Sequence, residues 1–333
     1  MGKLRFGVLG AAKIAREKVI PPLMRSERCE VVALGSRDAA RAAEVASQLG
    51  IARSYGSYEA LLADPDVDAI YNPLPNHLHV PWSIKAAEAG KHVLCEKPIG
   101  LDAAECEQLI AARDRTGVLI QEAFMVRTHP QWLRTRELVQ SGRIGELKAI
   151  QGFFSYHLTD TTNVRNVAEW GGGGLLDIGC YPITTSRFVT GLEPSRVAAI
   201  IERDPQTRID RLGAVMLDYG PIQCGFQYST QLVPRQTMQF FGDKGRLVVE
   251  VPFNAPNDVP CRLSIYEGPG LGDVAVETIE IPVCDQYGVM GDAFAAAVQD
   301  GTPQPVPLEN SLANMKVIDA VFRAGANGSW ERP

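Results

Sequence analysis

The sequence lacks the patterns of a membrane protein, a zinc protein or a disulfide-stabilised secreted protein. No apolar run approaches the roughly 20 residues that a membrane-spanning helix needs. Seven cysteines are scattered through 333 residues without a CxxC pair, so we expect neither a metal site nor a disulfide framework. The N-terminus enters a strand-like run without a signal-peptide pattern. Together with reduced cysteines, this indicates a cytoplasmic protein.

An excess of positive charge is also absent. Lys and Arg number 33 against 39 Asp and Glu, which gives a formal net charge of −6. Nucleic acids and anionic membranes require a basic face, so neither is an expected partner. The composition, 45% hydrophobic and 22% charged, is that of a globular protein, and the length suggests two domains.

Short apolar strands alternate with helical segments over the first 123 residues. Strands are predicted at 4–9, 30–36, 68–71, 92–95 and 118–123, and helices at 13–26, 38–49, 80–89 and 102–116. Pro21 and Pro22 predict a bend in the first helix. The alternation predicts an α/β domain over 1–123, with a parallel sheet covered by helices on both faces.

The pattern changes after Ala123. A helix at 130–141 and a long strand at 147–157 precede a glycine-rich turn at 171–174, which opens a further helical stretch. Strand follows strand from about 196 to 281, with turn signals at 219–221 and 242–245, and helices follow at 287–299 and 311–324. This predicts a second, α+β domain over 124–333 with a mainly antiparallel open sheet.

A small-residue loop separates the first strand from the first helix. It reads Gly-x-Ala-x-x-Ala, a version of the dinucleotide fingerprint, in which pyrophosphate lies on backbone N–H groups at the helix N-terminus. The alternative is a small-residue turn without a ligand. The candidate cofactor residues here are Gly10, Ala11, Ala12, Lys13 and Ile14.

The end of the second strand bears on the choice between NAD and NADP. An NAD site usually has an acid there for the ribose hydroxyl, whereas this sequence has Ser36 and Arg37, with Arg41 one turn later. A hydroxyl and two guanidinium groups suit a 2′-phosphate, so we predict that NADP is favoured and that NAD is possible. Asp38 is interpreted as a helix cap. The alternative makes both arginines solvated surface charges.

Two further segments carry candidate catalytic groups. Lys97 follows the predicted strand at 92–95, where its ammonium can stabilise a developing alkoxide. Asp177 and Tyr181 lie four residues apart, so on a helix they share one face. The pKa of tyrosine is ordinarily about 10, and a nearby ammonium favours its anion, which makes it a usable proton acceptor.

These segments together resemble one family. Gly10 to Ala15, Leu74 to His79, Gly90 to Pro98 and Gly172 to Tyr181 resemble the glucose–fructose oxidoreductase/inositol dehydrogenase (Gfo/Idh/MocA) family. The resemblance implies an N-terminal Rossmann domain, a nicotinamide cofactor and a hydroxylated substrate such as a sugar, polyol or cyclic diol. It implies a homodimer or homotetramer formed through the C-terminal sheet.

The resemblance also implies roles for residues. Lys97, Asp177 and Tyr181 match the catalytic positions of the family, and the Lys97–Pro98 peptide bond is expected to be cis. Many members have histidine at the position of Tyr181, and the tyrosine version is similar to the branch with dihydrodiol and aldose dehydrogenases. Besides the Gly10 loop, the implied cofactor residues are Leu74, Pro75, Asn76, His79, Glu96 and Lys97.

Substrate recognition and the function itself leave alternatives open. Candidate substrate residues are Arg127, Asn163, Arg165 and Trp170; for Arg127 a role at a domain hinge is an equal alternative. Two other functions fit the same fold, a non-catalytic dinucleotide-sensing regulator and a lyase that uses bound NAD transiently.

Overall fold

The computed structural model of the protein describes residues 2–268 and 275–333, which divide into two compact units. The first unit contains Met1–Met125 and Asp285–Leu312, and the second contains Val126–Cys284 and Ala313–Pro333. The predicted run of strands from 196 to 281 includes residues 269–274, which lie outside the described residues.

The first unit is built on a parallel sheet. Its strands are β1 Leu4–Leu9, β2 Cys29–Gly35, β3 Arg53–Tyr55, β4 Ala69–Asn72, β5 His92–Cys95 and β6 Ile120–Glu122. Their spatial order is β3-β2-β1-β4-β5-β6, so the direction of winding reverses between β1 and β4. In such a sheet, ligands bind at the carboxyl ends of the strands next to that reversal. The predicted Rossmann sheet is confirmed.

Helices cover this sheet and connect its strands. They are α1 Ile20–Arg25, α2 Ala39–Leu49, α3 Tyr58–Leu62, α4 His79–Glu88 and α5 Ala103–Thr116. A π-helical segment, Ala15–Val19, precedes α1, and the two prolines occupy the first turn of α1. Proline is tolerated there because the first N–H groups of a helix have no partner within it.

The second unit contains an eight-stranded sheet. Its strands are β7 Leu147–His157, β8 Arg196–Arg203, β9 Asp210–Asp218, β10 Gln223–Ser229, β11 Gln231–Gly242, β12 Gly245–Val249, β13 Cys261–Glu267 and β14 Glu277–Ile281. The order is β14-β13-β12-β11-β7-β10-β9-β8. Neighbours are antiparallel except β7 and β10, which are parallel. The prediction of a mainly antiparallel sheet is therefore confirmed.

Four more helices complete the described chain. They are α6 Pro130–Gln140 and α7 Cys180–Thr190 in the second unit, α8 Gln286–Asp300 in the first, and α9 Leu308–Asn327, which runs from the first unit into the second. Among the described residues, none of the helices has the length and apolar character that crossing a bilayer requires.

The compact units differ from the predicted division at 123 because α8 returns to the first unit. Phe294 of α8 packs on Phe6 of β1, with ring centroids 5.8 Å apart. Gly291 lies so close to Leu23 of α1 that a Cβ there would come within 2.2 Å of the leucine Cδ2 atom. The Cys29 thiol of β2 also contacts the Gly291 carbonyl oxygen, at 3.5 Å. Residues that far along the sequence thus complete the core of the first unit.

Candidate active site

The loop after β1 has the shape that close approach of a phosphate requires. Gly10 has φ +78, in the region that favours glycine, and its N–H donates to the Gly35 carbonyl at 2.6 Å. A Cβ at Gly10 would stand 3.0 Å from Leu74 Cδ2, so the glycine leaves space that another residue would fill. Ala11, Ala12 and Ile14 are half-buried and Lys13 is exposed.

Two basic side chains follow β2. Arg37 lies beside Tyr58: burial raises the pKa of the Tyr58 hydroxyl, and the Arg37 guanidinium opposes that rise. The Arg41 Nη1 atom lies 2.7 Å from Glu44 Oε2 on the exposed surface of α2. The Asp38 carboxylate accepts the Arg41 N–H at 3.1 Å, which confirms its role as the cap of α2.

His79 supports the surrounding loops through both ring nitrogens. The ring is 1% exposed, with Nδ1 2.7 Å from the Pro98 carbonyl oxygen and Nε2 2.7 Å from the Leu74 carbonyl oxygen. Burial lowers the pKa of His79 to about 4, whereas the two carbonyl oxygens favour the protonated ring, because a carbonyl oxygen can only accept a hydrogen bond. Both nitrogens lie against backbone carbonyl oxygens, so His79 helps to fix the backbone at Leu74 and Pro98, and its assignment as a cofactor residue stays a prediction. Leu74 and half-buried Pro75 and Asn76 form the turn that it holds.

Lys97 lies in a segment whose backbone is fixed on both sides. Its N–H donates to Glu96 Oε2 at 3.2 Å, and Glu96 Oε1 accepts the Tyr71 hydroxyl at 2.8 Å. After the Lys97–Pro98 bond, which is cis as predicted, the Ile99 N–H donates to Glu122 Oε1 at 2.9 Å. Buried carboxylates therefore hold the backbone around a half-buried lysine.

The second unit contains the other two candidate catalytic residues. Asp177 lies in a π-helical segment, Leu175–Gly179, that leads directly into α7, and its Oδ2 atom accepts two hydrogen bonds. The Tyr156 hydroxyl donates at 2.5 Å and Arg165 Nε donates at 3.1 Å. Burial, together with the Asp177 carboxylate, raises the pKa of Tyr156 above its ordinary range. Tyr156 is thus held as a neutral phenol.

Tyr181 stands at the start of α7 among aromatic rings. Its ring centroid lies 5.7 Å from that of Phe154 and 5.3 Å from that of Phe253, and the residue is 5% exposed. Asp177 and Tyr181 both act electrostatically on Arg165, because their negative forms raise the pKa of its guanidinium. Arg165 thus lies within electrostatic reach of both Asp177 and Tyr181, the two residues that the sequence predicts on one helix face.

The remaining candidate substrate residues have different surroundings. The Asn163 side chain accepts the Arg165 N–H at 3.1 Å and so caps a short 3₁₀ turn. Trp170 is 41% exposed in the loop before the glycine run. Arg127 stacks on the Phe188 ring, with its Cζ atom 4.4 Å from the ring centroid. Arg127 therefore packs two turns beyond Tyr181 along α7.

Sequence reasoning missed three residues of this arrangement: Tyr58, Glu122 and Tyr156. For Glu122 a signal existed, since an acid at the end of a buried strand is unusual unless it has a partner. Tyr156 lies two positions from Phe154 on β7, so strand alternation places both on one face. No pattern in the sequence indicated which helix that face would meet.

The first unit fits a nicotinamide dinucleotide. The Gly10 loop leaves space beside its backbone, and the N–H groups after it and the guanidinium groups after β2 are donors of the kinds that phosphates require. Within residues 2–268 and 275–333, no group of three or more His, Cys, Asp or Glu side chains could hold a metal ion.

Comparison with known proteins agrees with this geometry. Residues 4–124 match a family described as an oxidoreductase family with an NAD-binding Rossmann fold, and residues 132–248 match the GFO/IDH/MocA C-terminal domain. The chain is 48% identical over 332 residues to an uncharacterized oxidoreductase, ORF334, of Rhizobium meliloti, covering 99% of each chain. It is 37% identical over 333 residues to D-xylose 1-dehydrogenase (NADP(+)) 2 of Haloferax volcanii, covering 98% of each.

A solved structure is similar over nearly the whole chain. It is KijD10, a 3-ketoreductase from Actinomadura kijaniata in complex with NADP and TDP-benzene, with a TM-score of 0.90 and 32% identity. The match covers 97% of this chain and 98% of that one. The first unit is accordingly an NAD(P)-binding Rossmann domain, and the chain belongs to the Gfo/Idh/MocA oxidoreductase family.

Proposed function

We propose that the protein is an NADP(H)-dependent dehydrogenase or reductase acting on a hydroxyl or carbonyl carbon of a sugar, polyol or cyclic diol. The observation that carries the proposal is the fixed Lys97 segment, in a chain that also has Asp177 just before α7 and Tyr181 in its first turn. A dinucleotide sensor would have no need of three groups suited to alkoxide stabilisation and proton transfer.

The proposed roles follow from the chemistry of each group. The nicotinamide, when bound, supplies hydride transfer. In the oxidative direction, Lys97 as an ammonium stabilises the developing alkoxide, and the Tyr181 oxygen takes the hydroxyl proton. Asp177, which is held by Tyr156 and Arg165, keeps these groups aligned. We further propose that Arg165, Asn163, Trp170 and Arg127 contribute to substrate recognition.

Screening with both cofactors tests this function. Aldoses, polyols, cyclic diols and diketones are offered with NADP(H) and with NAD(H), and the absorbance of reduced nicotinamide is followed. We expect a bulk change with at least one hydroxylated compound or its carbonyl product. Tight cofactor binding without turnover of any compound would favour the regulator. A converted sugar without net change in reduced nicotinamide would favour the lyase.

Replacing Arg37 by alanine should lower the affinity for NADPH and leave that for NADH nearly unchanged. Loss of a charge-assisted hydrogen bond to the 2′-phosphate costs about 1–3 kcal/mol, roughly 5- to 150-fold. Fluorescence titration of both cofactors measures the effect. Arg115→Ala is the matched control, because Arg115 is an exposed arginine of the first unit paired with Glu88 at 2.7 Å. Equal or tighter NADH binding by the unaltered protein would rule out NADP preference.

We also propose a homodimer or homotetramer formed through the open face of the second sheet. That face carries a cavity of about 660 Å³, where Ile200 is 78% exposed and Met216 40% exposed. Exposed apolar side chains on neighbouring strands are typical of an interface. Ile200→Glu should therefore yield monomers in analytical ultracentrifugation, whereas Val259→Glu, at a position 51% exposed outside the strands, should leave the assembly intact. A monomeric unaltered protein would exclude this interface.

A further inference from the structure

Asp210, the first residue of β9, lies beneath the glycine-rich turn that precedes Asp177 and Tyr181. Its side chain is 2% exposed, and Oδ2 accepts the Leu175 N–H at 2.6 Å. Leu175 is the first residue of the π-helical segment that carries Asp177. The first N–H groups of a helix have no partner within the helix, so this buried carboxylate supplies one from a distant strand.

The turn is shaped to fit the Asp210 carboxylate. Gly173 has φ +127, and a Cβ there would come within 2.0 Å of Asp210 Oδ1. A Cβ at Gly174 would come within 2.7 Å of the Tyr228 ring. Glycine is therefore required at both positions, because the turn must lie directly on the Asp210 carboxylate and the Tyr228 ring.

We propose that Asp210 is a positioning residue, whose carboxylate fixes the glycine-rich turn and thereby the placement of Asp177 and Tyr181. The proposal rests on the function proposed above. A hydrogen bond to an ionised acceptor is roughly twice as strong as a neutral one, so the charge matters as well as the contact. Catalytic groups displaced by 1 Å can lose about 100-fold in rate, so a loosened turn would slow the reaction.

The charge of Asp210 changes within an accessible pH range. Burial raises the pKa of this carboxyl to about 6, although the Leu175 N–H favours the ionised form. The groups that act on it or respond to it are Arg203 of β8, whose positive charge favours ionisation, and the phenols of Tyr228 and Tyr156. The turn therefore holds its ionised partner above about pH 6 and loses the charge below it.

Ionisation of Asp210 lowers the stability of the fold, whereas in our proposal it raises activity. A carboxyl whose pKa is raised on folding binds protons more readily in the folded state, so its contribution to stability declines as the pH rises through about 6. Removing the charge with Asp210→Asn should therefore leave the Tm at pH 7.5 equal to or above that of the unaltered protein. The same variant should lower kcat. A residue with a purely structural role would lower both.

The test compares Asp210→Asn with Asp218→Asn. Asp218 ends the same strand, about 26 Å away at 3.3 Å per residue, and forms an exposed pair with Arg196. We expect Asp210→Asn to lower kcat about tenfold at pH 7.5 without changing the Kd for NADPH more than twofold. We also expect kcat of the unaltered enzyme to fall as the pH drops through about 6, and Asp210→Asn should remove that fall. Asp218→Asn should match the unaltered enzyme throughout.

Hydrogen exchange provides a measurement that does not require a substrate. Peptides covering 171–181 should exchange faster at pH 7.5 in Asp210→Asn than in Asp218→Asn or the unaltered protein. Faster exchange without activity of the unaltered protein on any compound would support the positioning role and reject the proposed function. Unchanged exchange, or unchanged kcat in an active enzyme, would overturn the positioning role.

Discussion

Lys97→Ala is expected to lower kcat about 100- to 1,000-fold while the affinity for NADP(H) stays within a few-fold. That range is the usual cost of losing one preorganised donor to a developing negative charge. The ammonium is proposed to act mainly in the transition state, so its removal should affect kcat more than binding. Steady-state kinetics on the substrate found by screening, with a parallel cofactor titration, gives both quantities.

The Lys97→Ala substitution should leave the backbone contacts of its segment in place. The backbone around Lys97 is held by Glu96 and Glu122 and by the His79 contact to Pro98, none of which uses the lysine ammonium. Alanine should therefore leave the fold of the segment intact. Lys85→Ala is the control, because that half-exposed lysine of α4 lies over the Trp82 ring, 4.0 Å from its centroid. If Lys97→Ala kept kcat within threefold, the alkoxide would have to be stabilised by another group.

Elements with a strong local pattern were predictable from the sequence. The strand β1 is an apolar run with Phe6, Val8 and Leu9 fully buried, and β2 has the same character. Helix α2 begins after Asp38, whose side chain could be assigned as a cap because it precedes an alanine-rich run. In both cases the signal lies within a few residues of the element.

Elements that depend on distant residues were missed. The strand β3 has only three residues, none of them buried, and it pairs with β2 through Ala33 to Gly35. The five-residue helix α3 was also missed, although Ser57 caps it. The parallel pairing of β7 with β10, and the return of Asp285–Leu312 to the first unit, are set by tertiary packing. Local pattern carries no information about such partners.

The same limit applies to the candidate site. The Gly10 loop and Lys97 could be singled out because each follows a strand in a recognisable motif. The network around Asp177 could not, because Tyr156 lies 21 residues before it and reaches it from a strand. His79 belongs to a motif segment, yet only the structure reveals that each ring nitrogen lies 2.7 Å from a carbonyl oxygen of the protein itself. A motif therefore located His79 without distinguishing a supporting residue from a ligand.

Tyr181→Phe is expected to lower kcat by about 100- to 1,000-fold, the cost of removing a positioned acid–base group. The substitution removes one oxygen and keeps the ring, which packs between Phe154 and Phe253. The fold and NADP(H) affinity should therefore be preserved, so a fall in kcat would reflect lost proton transfer. Tyr266→Phe is the matched control in the same unit, since its ring stacks on Arg246 with the Cζ atom 4.2 Å from the centroid.

The pH dependence of kcat provides a second test of proton transfer to Tyr181. If Tyr181 takes the proton in the oxidative direction, the residual activity of Tyr181→Phe should rise as external base becomes more abundant, and small buffer bases should partly restore kcat.

Nearly full kcat of Tyr181→Phe at the pH optimum would instead assign the proton transfer to another group. His79 is a poor substitute, because each of its ring nitrogens lies 2.7 Å from a backbone carbonyl oxygen. His129 would be tested next: it is 1% exposed, burial lowers its pKa to about 4, and Nδ1 accepts the Gln131 N–H at 3.1 Å. In the neutral ring this leaves the proton on Nε2, so His129 has no free lone pair for the hydroxyl proton, and His129→Asn in the Tyr181→Phe background should leave the remaining activity unchanged.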